Sequence, residues 1–87
     1  MADVHLPSTL MPLFAELPRR LDVDAPTVEA ALAQLDGRWP GLRDRLCEPG
    51  PELRRHIHVY VDGQRAALDA PLAATSRVDV IAAISGG

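Results

Sequence analysis

The sequence predicts an α+β domain in which a small sheet packs on one main helix. Three patterns carry this expectation: apolar residues alternate with polar ones near the start of the chain, they shift to a helical period between about 28 and 36, and the alternation returns toward the end. The predicted order is strand, strand, helix, irregular segment, strand, strand, with no internal repeat and no low-complexity stretch.

Val4 and Leu6 alternate with His5 and stop at Pro7, which makes a short first strand. Pro7, Pro12 and Pro18 punctuate the next stretch, so Ser8 to Leu17 reads as a loop with about a turn of helix, sending Leu10, Leu13 and Phe14 into the core. From Arg19 to Val23 the alternation resumes, with Leu21 and Val23 on one side, as a second strand antiparallel to the first. Thr27 then suits a helix N-cap, Glu29 places an acid in the first turn, and Val28, Ala31, Leu32 and Leu35 fall at offsets 0, 3, 4 and 7. The spacing predicts a helix over about 28–36 with Gly37 as its C′ residue. A short second helical piece follows around Leu42 to Leu46, with Trp39 covering the end of the core.

Residues 47–52 read as a loop by composition. His56 to Gly63 alternates strictly, placing Ile57, Val59 and Val61 on the buried face and a turn at Asp62-Gly63. Gln64 to Ala74 reads as a loop-rich crossing that carries Leu68, Pro71 and Leu72. A last strand runs from Arg77 to Ile84, with Val78, Val80, Ala82 and Ile84 on one face and Arg77, Asp79, Ile81 and Ala83 on the other. The predicted core is Leu6, Val28, Leu32, Leu35, Ile57, Val59, Val78 and Val80.

Size and charge exclude several function classes. The 87 residues carry 9 Lys+Arg against 12 Asp+Glu, a formal charge of −3 that is small and of the wrong sign for nucleic acid. A chain of this length buries only roughly 60–65 % of its unfolded surface, leaving little room for an internal active site. A carrier, adaptor or small subunit is expected rather than a stand-alone enzyme. Cys47 is the only cysteine, which rules out an intramolecular disulfide and a cysteine-rich zinc cluster. The N-terminal residues lack the basic segment and apolar run of a signal peptide, and no stretch approaches a membrane span, so a soluble, cytoplasmic protein is expected. All nine basic residues are arginine, so no side chain here can accept an isopeptide bond.

The unusual feature is Gly86-Gly87, reached directly from an apolar strand. Two glycines extend without side-chain hindrance, and such a tip can thread a narrow tunnel in another protein and present its α-carboxylate for reaction. A carboxylate is a poor electrophile until activated; transfer of AMP from ATP makes it a mixed anhydride that sulfur or nitrogen nucleophiles attack. The bland alternative is a frayed terminus.

Five segments stand in order along the chain: Thr27-Val28-Glu29-Ala30-Ala31-Leu32, then Arg38-Trp39-Pro40-Gly41-Leu42-Arg43-Asp44-Arg45-Leu46, Val59-Tyr60-Val61-Asp62-Gly63, Pro71-Leu72, and Val78 through Gly87. On these residues, and over nearly its whole length, the chain resembles the MoaD/ThiS family. The resemblance implies a ubiquitin-like β-grasp, a mixed sheet of four to five strands on one main helix with a short second helix, as a single domain over 1–87 with a flexible tail at 85–87. It also implies a carrier that catalyses nothing itself. A ubiquitin-activating-type enzyme adenylates the Gly87 carboxylate with ATP, a persulfide donor converts it to a thiocarboxylate, and the sulfur then attacks an activated substrate in a sulfur-accepting biosynthetic enzyme. No bound cofactor, nucleic acid or membrane is implied, and ATP belongs to the partner. By the same resemblance Gly87 carries the sulfur, Gly86 gives access, and Ile84 and Ser85 link the tail to the domain. The chain departs from the family pattern at Ala74-Thr75-Ser76, where an Asp-Gly-Asp turn is frequent, and at Ala82, a usual proline place.

The register of the two late strands also predicts a docking surface. If Ile57, Val59 and Val61 face the helix, then His56, His58 and Tyr60 face out, as do Ile81 and Ala83, making a small apolar patch around Tyr60 and Ile81. His56 and His58 share a side, but two ligands are too few for zinc, and only Cys47 or His5 could add one. Nothing in the sequence orients a base toward Cys47, and no serine has an elbow motif. Two further readings stay beside the sulfur carrier: a ubiquitin-like modifier joined through Gly87 to target lysines, and a plain β-grasp interaction module. The sulfur pathway stays open among molybdopterin synthase small subunit, cysteine synthesis, thiamine thiazole and secondary metabolism.

Overall fold

Hydrophobic alternation becomes a five-stranded sheet in the computed structural model, which describes residues 1–50 and 52–82. The strands are β1 (Ala2–His5), β2 (Arg20–Val23), β3 (Ile57–Val61), β4 (Gln64–Ala66) and β5 (Arg77–Ala82), in the spatial order β2-β1-β5-β3-β4. β1 and β5 run parallel at the centre, with Val4 opposite Val78, and every other neighbouring pair is antiparallel. This is the β-grasp arrangement that the resemblance implies. Period-2 alternation sends Val4, Val78, Val80, Ile57 and Val59 to one face, where helix α1 (Val28–Arg38) supplies Val28, Ala31, Leu32 and Leu35. All eight residues of the predicted core are buried. Leu42 and Leu46 of the short helix α2 (Leu42–Leu46) close one end.

Helix α1 begins where the sequence places it. The Thr27 side chain accepts a hydrogen bond from the Ala30 backbone N–H at 3.1 Å, and Glu29 stands in the first turn. Two of the remaining first-turn donors are satisfied by the crossing between β4 and β5: Val28 donates to the Ala70 carbonyl and Glu29 to that of Leu68. Thr27 and Pro71 form a β-bridge, and Leu72 donates to the Pro26 carbonyl, so this irregular segment is anchored on the helix start.

The other end of α1 differs from the expectation. Gly37 is not a C′ residue; it lies inside the helix, which runs on to Arg38 and is capped by Trp39 at φ −127°, ψ 84°. Proline restricts the residue before it to non-helical conformations, so Pro40 stops the helix through Trp39. The left-handed conformation falls instead at Gly41, φ +96°, between the two helices. There Asp36 Oδ1 accepts from the backbone N–H groups of both Gly41 and Arg43, at 3.1 Å each. Two alanine substitutions check this reading by urea unfolding. Gly41→Ala is expected to destabilise by about 1–2 kcal/mol through its positive φ, since the added Cβ meets only Phe14 Cε1 at 3.8 Å. Gly37→Ala, with open space around its Cβ, is expected to stabilise by about 0.5–1 kcal/mol. A loss at Gly37 would return the helix end to 36.

Three further corrections concern the connections. The stretch read as a loop after Asp62-Gly63 contains β4, which forms a hairpin with β3 through a two-residue turn: Val61 lies opposite Gln64, and Asp62 and Gly63 have φ +50° and +85°. Leu13 does not enter the core. Ser8–Leu13 is a 3-10 helix in which Leu10 is buried while Leu13, one turn farther out, is 49 % exposed. Val61, at the end of β3, is half-buried rather than buried, although it packs against the core.

Candidate functional site

The central position of β5 determines where the chain's last residues begin. β5 pairs with β1 over Arg77–Asp79 and with β3 over Val78–Ala82, where Ala82 lies opposite Ile57. Ala83, Ile84, Ser85, Gly86 and Gly87, including the tail expected at 85–87, lie outside the described residues. Ala82, the residue before this segment, is therefore held in the sheet by its pairing with β3. At the far end of β5, the Ala74-Thr75-Ser76 departure from the family turn is compensated locally. Ala73 N–H donates to Ser76 Oγ at 2.9 Å, Ser76 N–H donates to the Ala73 carbonyl at 3.1 Å, and Asp3 N–H donates to the Ser76 carbonyl at 2.9 Å, tying the turn to β1.

Beside Ala82 an open groove of about 670 Å³ separates the 3-10 helix from α2 and the start of β3. Its apolar part is formed by Leu10, Leu13, Ile57 and Ala82, and its polar rim by Arg45, Arg54, His56 and Asp44. The Arg54 Nε–H is fixed on the Asp44 carbonyl at 2.8 Å. Sequence reasoning missed this groove because its walls come from four separate elements; only the exposed Leu13, taken as core, hinted at it.

The outer face of the sheet carries the predicted docking residues. His58 lies directly opposite Ile81, and Tyr60 lies opposite Asp79 and diagonal to Ile81, so the three share one face. Ile81 is 46 % exposed, whereas Tyr60 and His58 are half-buried, so the patch is narrower than an exposed Tyr and Ile side by side. His58 Nδ1 is shielded from solvent without a hydrogen-bond partner among the described residues. His56 is exposed but precedes β3, and lines the groove instead of extending the patch.

Toward β2 this face becomes a charge network. His5 Nε2 lies 3.0 Å from Asp3 Oδ2, Arg20 Nε–H donates to Asp3 Oδ1 at 3.0 Å, and Arg77 grips Asp79 through Nε and Nη2. The hydrogen bond from His5, then that from Arg20, hold the Asp3 carboxyl below its ordinary value of 3.8. A carboxyl with a depressed folded-state pKa contributes stability that is present above the unfolded value and lost as pH falls through the folded one. In urea titrations the wild type is therefore expected to exceed Asp3→Asn at neutral pH, with the gap closing below about pH 4. A gap that persists unchanged at acid pH would remove Asp3 ionisation from the network.

Among the described residues, no group of three or more His, Cys, Asp or Glu is placed to hold a metal ion, and no helix is long and apolar enough to cross a membrane. Cys47 is 2 % exposed, and burial pushes its thiol pKa up, away from the thiolate a nucleophile needs.

Comparison with known proteins agrees with this geometry. The model of the ThiS family matches residues 11–87. The small archaeal modifier protein 1 of Haloferax volcanii is 39 % identical over 69 residues, covering 78 % of this chain and 79 % of that protein. Its crystal structure superposes with a TM-score of 0.75 at 34 % identity, covering 99 % of this chain and 98 % of the other. At 22 % identity, where the likeness concerns the fold, a chain of the crystal structure of the Amycolatopsis orientalis BexX/CysO complex gives a TM-score of 0.87, with both chains covered completely. Mycobacterium tuberculosis CysO gives 0.85 at 21 % identity, covering 97 % of this chain and all of the other.

Proposed function

Because the chain belongs to the ThiS family, whose members are ubiquitin-like small carriers and modifiers, we propose that it is a sulfur carrier acting through the carboxylate of Gly87. The observation that carries the reading is the family match running through residue 87, onto a Gly-Gly end rooted in the central strand β5. In this mechanism a ubiquitin-activating-type partner transfers AMP from ATP to the Gly87 carboxylate, releasing pyrophosphate. The terminal sulfur of a persulfide donor then displaces AMP to give an acyl disulfide, and a thiol of the partner system attacks the donor's sulfur, forming a disulfide with it and releasing the thiocarboxylate. Its sulfur is the nucleophile used by a biosynthetic enzyme. Gly86 admits the tail to the partner's narrow site, Ile84 and Ser85 link it to the domain, and Ala83 is assigned to partner recognition. The chain supplies the carboxylate and the docking surface, while the catalytic groups and the ATP belong to partners. Recognition is assigned to Ile81, Tyr60 and His58 on the outer face. That a protein of this fold occurs in a BexX/CysO complex supports assembly with a partner.

The first half-reaction offers a direct test, since adenylation is reversible. With the chain's own adenylating partner, exchange of labelled pyrophosphate into ATP is expected to require this protein and to vanish when Gly87 is removed. Ile81→Arg is expected to raise the carrier KM in that exchange with little change in kcat, because it disturbs docking and leaves the reacting atoms intact. Exchange that is indifferent to Gly87 would overturn the reading. The likeness to the small archaeal modifier protein 1 of Haloferax volcanii favours one second reading: a modifier joined through Gly87 to lysines of other proteins. The same activated terminus serves both uses, and protein conjugates in cell extracts distinguish them.

A further inference from the structure

β2 is an outermost strand of the sheet, and its pairing with β1 defines the edge it leaves open. The Arg19 carbonyl accepts from the Leu6 N–H at 2.7 Å. By the alternation of an antiparallel ladder, the backbone groups of Arg19, Leu21 and Val23 therefore point at β1, and those of Arg20 and Asp22 point away from it. Two N–H and two C=O groups are thus turned outward. Pro18, which has no N–H to donate, and Asp24, whose carbonyl accepts from Gln34 Nε2, bound this open stretch. The side chains along it are out of balance within one copy. Asp22 is exposed and stands directly opposite Asp3, a like-charge pair. Arg20, its side chain 70 % exposed, gives its Nε–H to Asp3, while Asp22 has no ion-pair partner among the described residues. On the inner face Leu21 packs against the core but is only half-buried.

We propose that β2 is a self-complementary edge through which two copies of this chain associate, antiparallel about a two-fold axis at Leu21. Charges on an edge strand ordinarily discourage pairing, but here they alternate in sign, and the register decides whether they repel or attract. Only outward-turned residues bond across the new edge, so a two-fold pairing centres on Arg20, Leu21 or Asp22. Centred on Arg20, it sets two arginines against each other and Asp22 against Pro18, which cannot donate. Centred on Asp22, it sets two carboxylates against each other and Arg20 against Asp24, whose carbonyl is already taken. Centred on Leu21, it places Arg20 of each copy opposite Asp22 of the other, and the outward N–H and C=O groups of the two strands close into four hydrogen bonds. The Leu21 side chains then meet at the closely spaced, non-hydrogen-bonded position on the axis, covering apolar surface that one copy leaves open. The contact consumes both edges and stops at a dimer. At the opposite edge, a two-fold pairing centred in β4 would set Arg65 against Arg65. A strand added beside β2 leaves the outer face of β3 and β5 uncovered, so the association is independent of the chemistry proposed at Gly87.

Sedimentation equilibrium of the full chain tests this at low salt, at concentrations up to roughly 1 mM, where an interface of one short strand associates. The wild-type mass is expected to rise toward that of a dimer with concentration and to fall back as salt is added. Asp22→Arg and Arg20→Asp each set like charges opposite one another at both ends of the pairing, and each is expected to raise the dimer Kd at least about tenfold. Mixed in equal amounts, these two variants complement each other again and are expected to associate as a heterodimer. Urea midpoints establish that each variant is folded. The axis itself is read by Leu21→Cys, because the native thiol, Cys47, is 2 % exposed. With oxidised glutathione as oxidant this variant is expected to give a disulfide-linked dimer, and Arg65→Cys on β4 to remain monomeric. A wild type that stays monomeric at the highest concentration would overturn the proposal. So would association that the charge reversals leave unchanged, or variants that fail to restore it on mixing.

Discussion

Deleting Gly86 and Gly87 is expected to abolish sulfur transfer completely while leaving the melting temperature and urea midpoint at their wild-type values. The physical reason is the separation of the two jobs along β5. Val78 and Val80 are buried in the core and are 1 % and 3 % exposed, so they carry stability, whereas in the proposed mechanism Gly86 and Gly87 carry the chemistry. A graded version of the experiment is more informative than the deletion. Gly86→Val keeps the length and the terminal carboxylate but places a branched side chain next to it, and should reduce adenylation by orders of magnitude without altering urea unfolding. If both variants retained full activity, the chain would be a plain interaction module. If both unfolded, the tail would have a structural role that the position of β5 does not predict.

Leu32→Ala is expected to produce the largest loss of stability of any single truncation in α1, about 2–5 kcal/mol. Leu32 is 1 % exposed and belongs to the shared cluster with Val4, Val59 and Val78 on the central strands, so its removal leaves a cavity that neighbours on a hydrogen-bonded sheet cannot fill. For a domain of this size that loss corresponds to a fall of roughly 10–30 °C in melting temperature. A fall of only a few degrees would place Leu32 at the periphery and contradict the packing of α1 on the sheet.

The two expectations were legible in the sequence to different degrees, for physical reasons. Core positions follow from local periodicity, and the period-2 and period-3.6 runs name Leu6, Val28, Leu32, Leu35, Ile57, Val59, Val78 and Val80 without any tertiary information. The mixed sheet was implied by the family resemblance, and the parallel pairing of β1 with β5, Asp3 opposite Arg77, bears it out. What local pattern missed was decided elsewhere. Gln64-Arg65-Ala66 has no apolar alternation; it is a strand because the turn at Asp62-Gly63 lays it against β3. Gly37 looked like a helix stop, but Pro40, three residues later, sets the end through Trp39.

The candidate site divides in the same way. Gly87 is legible because its proposed chemistry depends on covalent structure, which sequence states directly, and its surroundings at 83–87 are outside the described residues. The outer-face residues followed from alternation, yet their degree of exposure did not. Tyr60 is half-buried on a strand flanked by both β4 and β5, a consequence of a β4 that the sequence did not announce. The groove beside Ala82 joins Leu13, Arg45, Arg54 and Ile57 across more than forty residues of sequence, and no local signal connects them.

The central claim is that sulfur is carried at Gly87, and one measurement tests it most directly: the intact mass of the protein purified from its own organism, followed by the mass of its C-terminal peptide. Replacing one carboxylate oxygen with sulfur adds roughly 16 Da, nearly the shift that oxidation of Met1, Met11 or Cys47 gives, so the gain must be localised. The account predicts the increase on the C-terminal peptide, and its absence from a variant lacking Gly87. An unmodified terminus in sulfur-replete cells, accompanied by high-mass conjugates, would contradict it and assign the chain to protein modification.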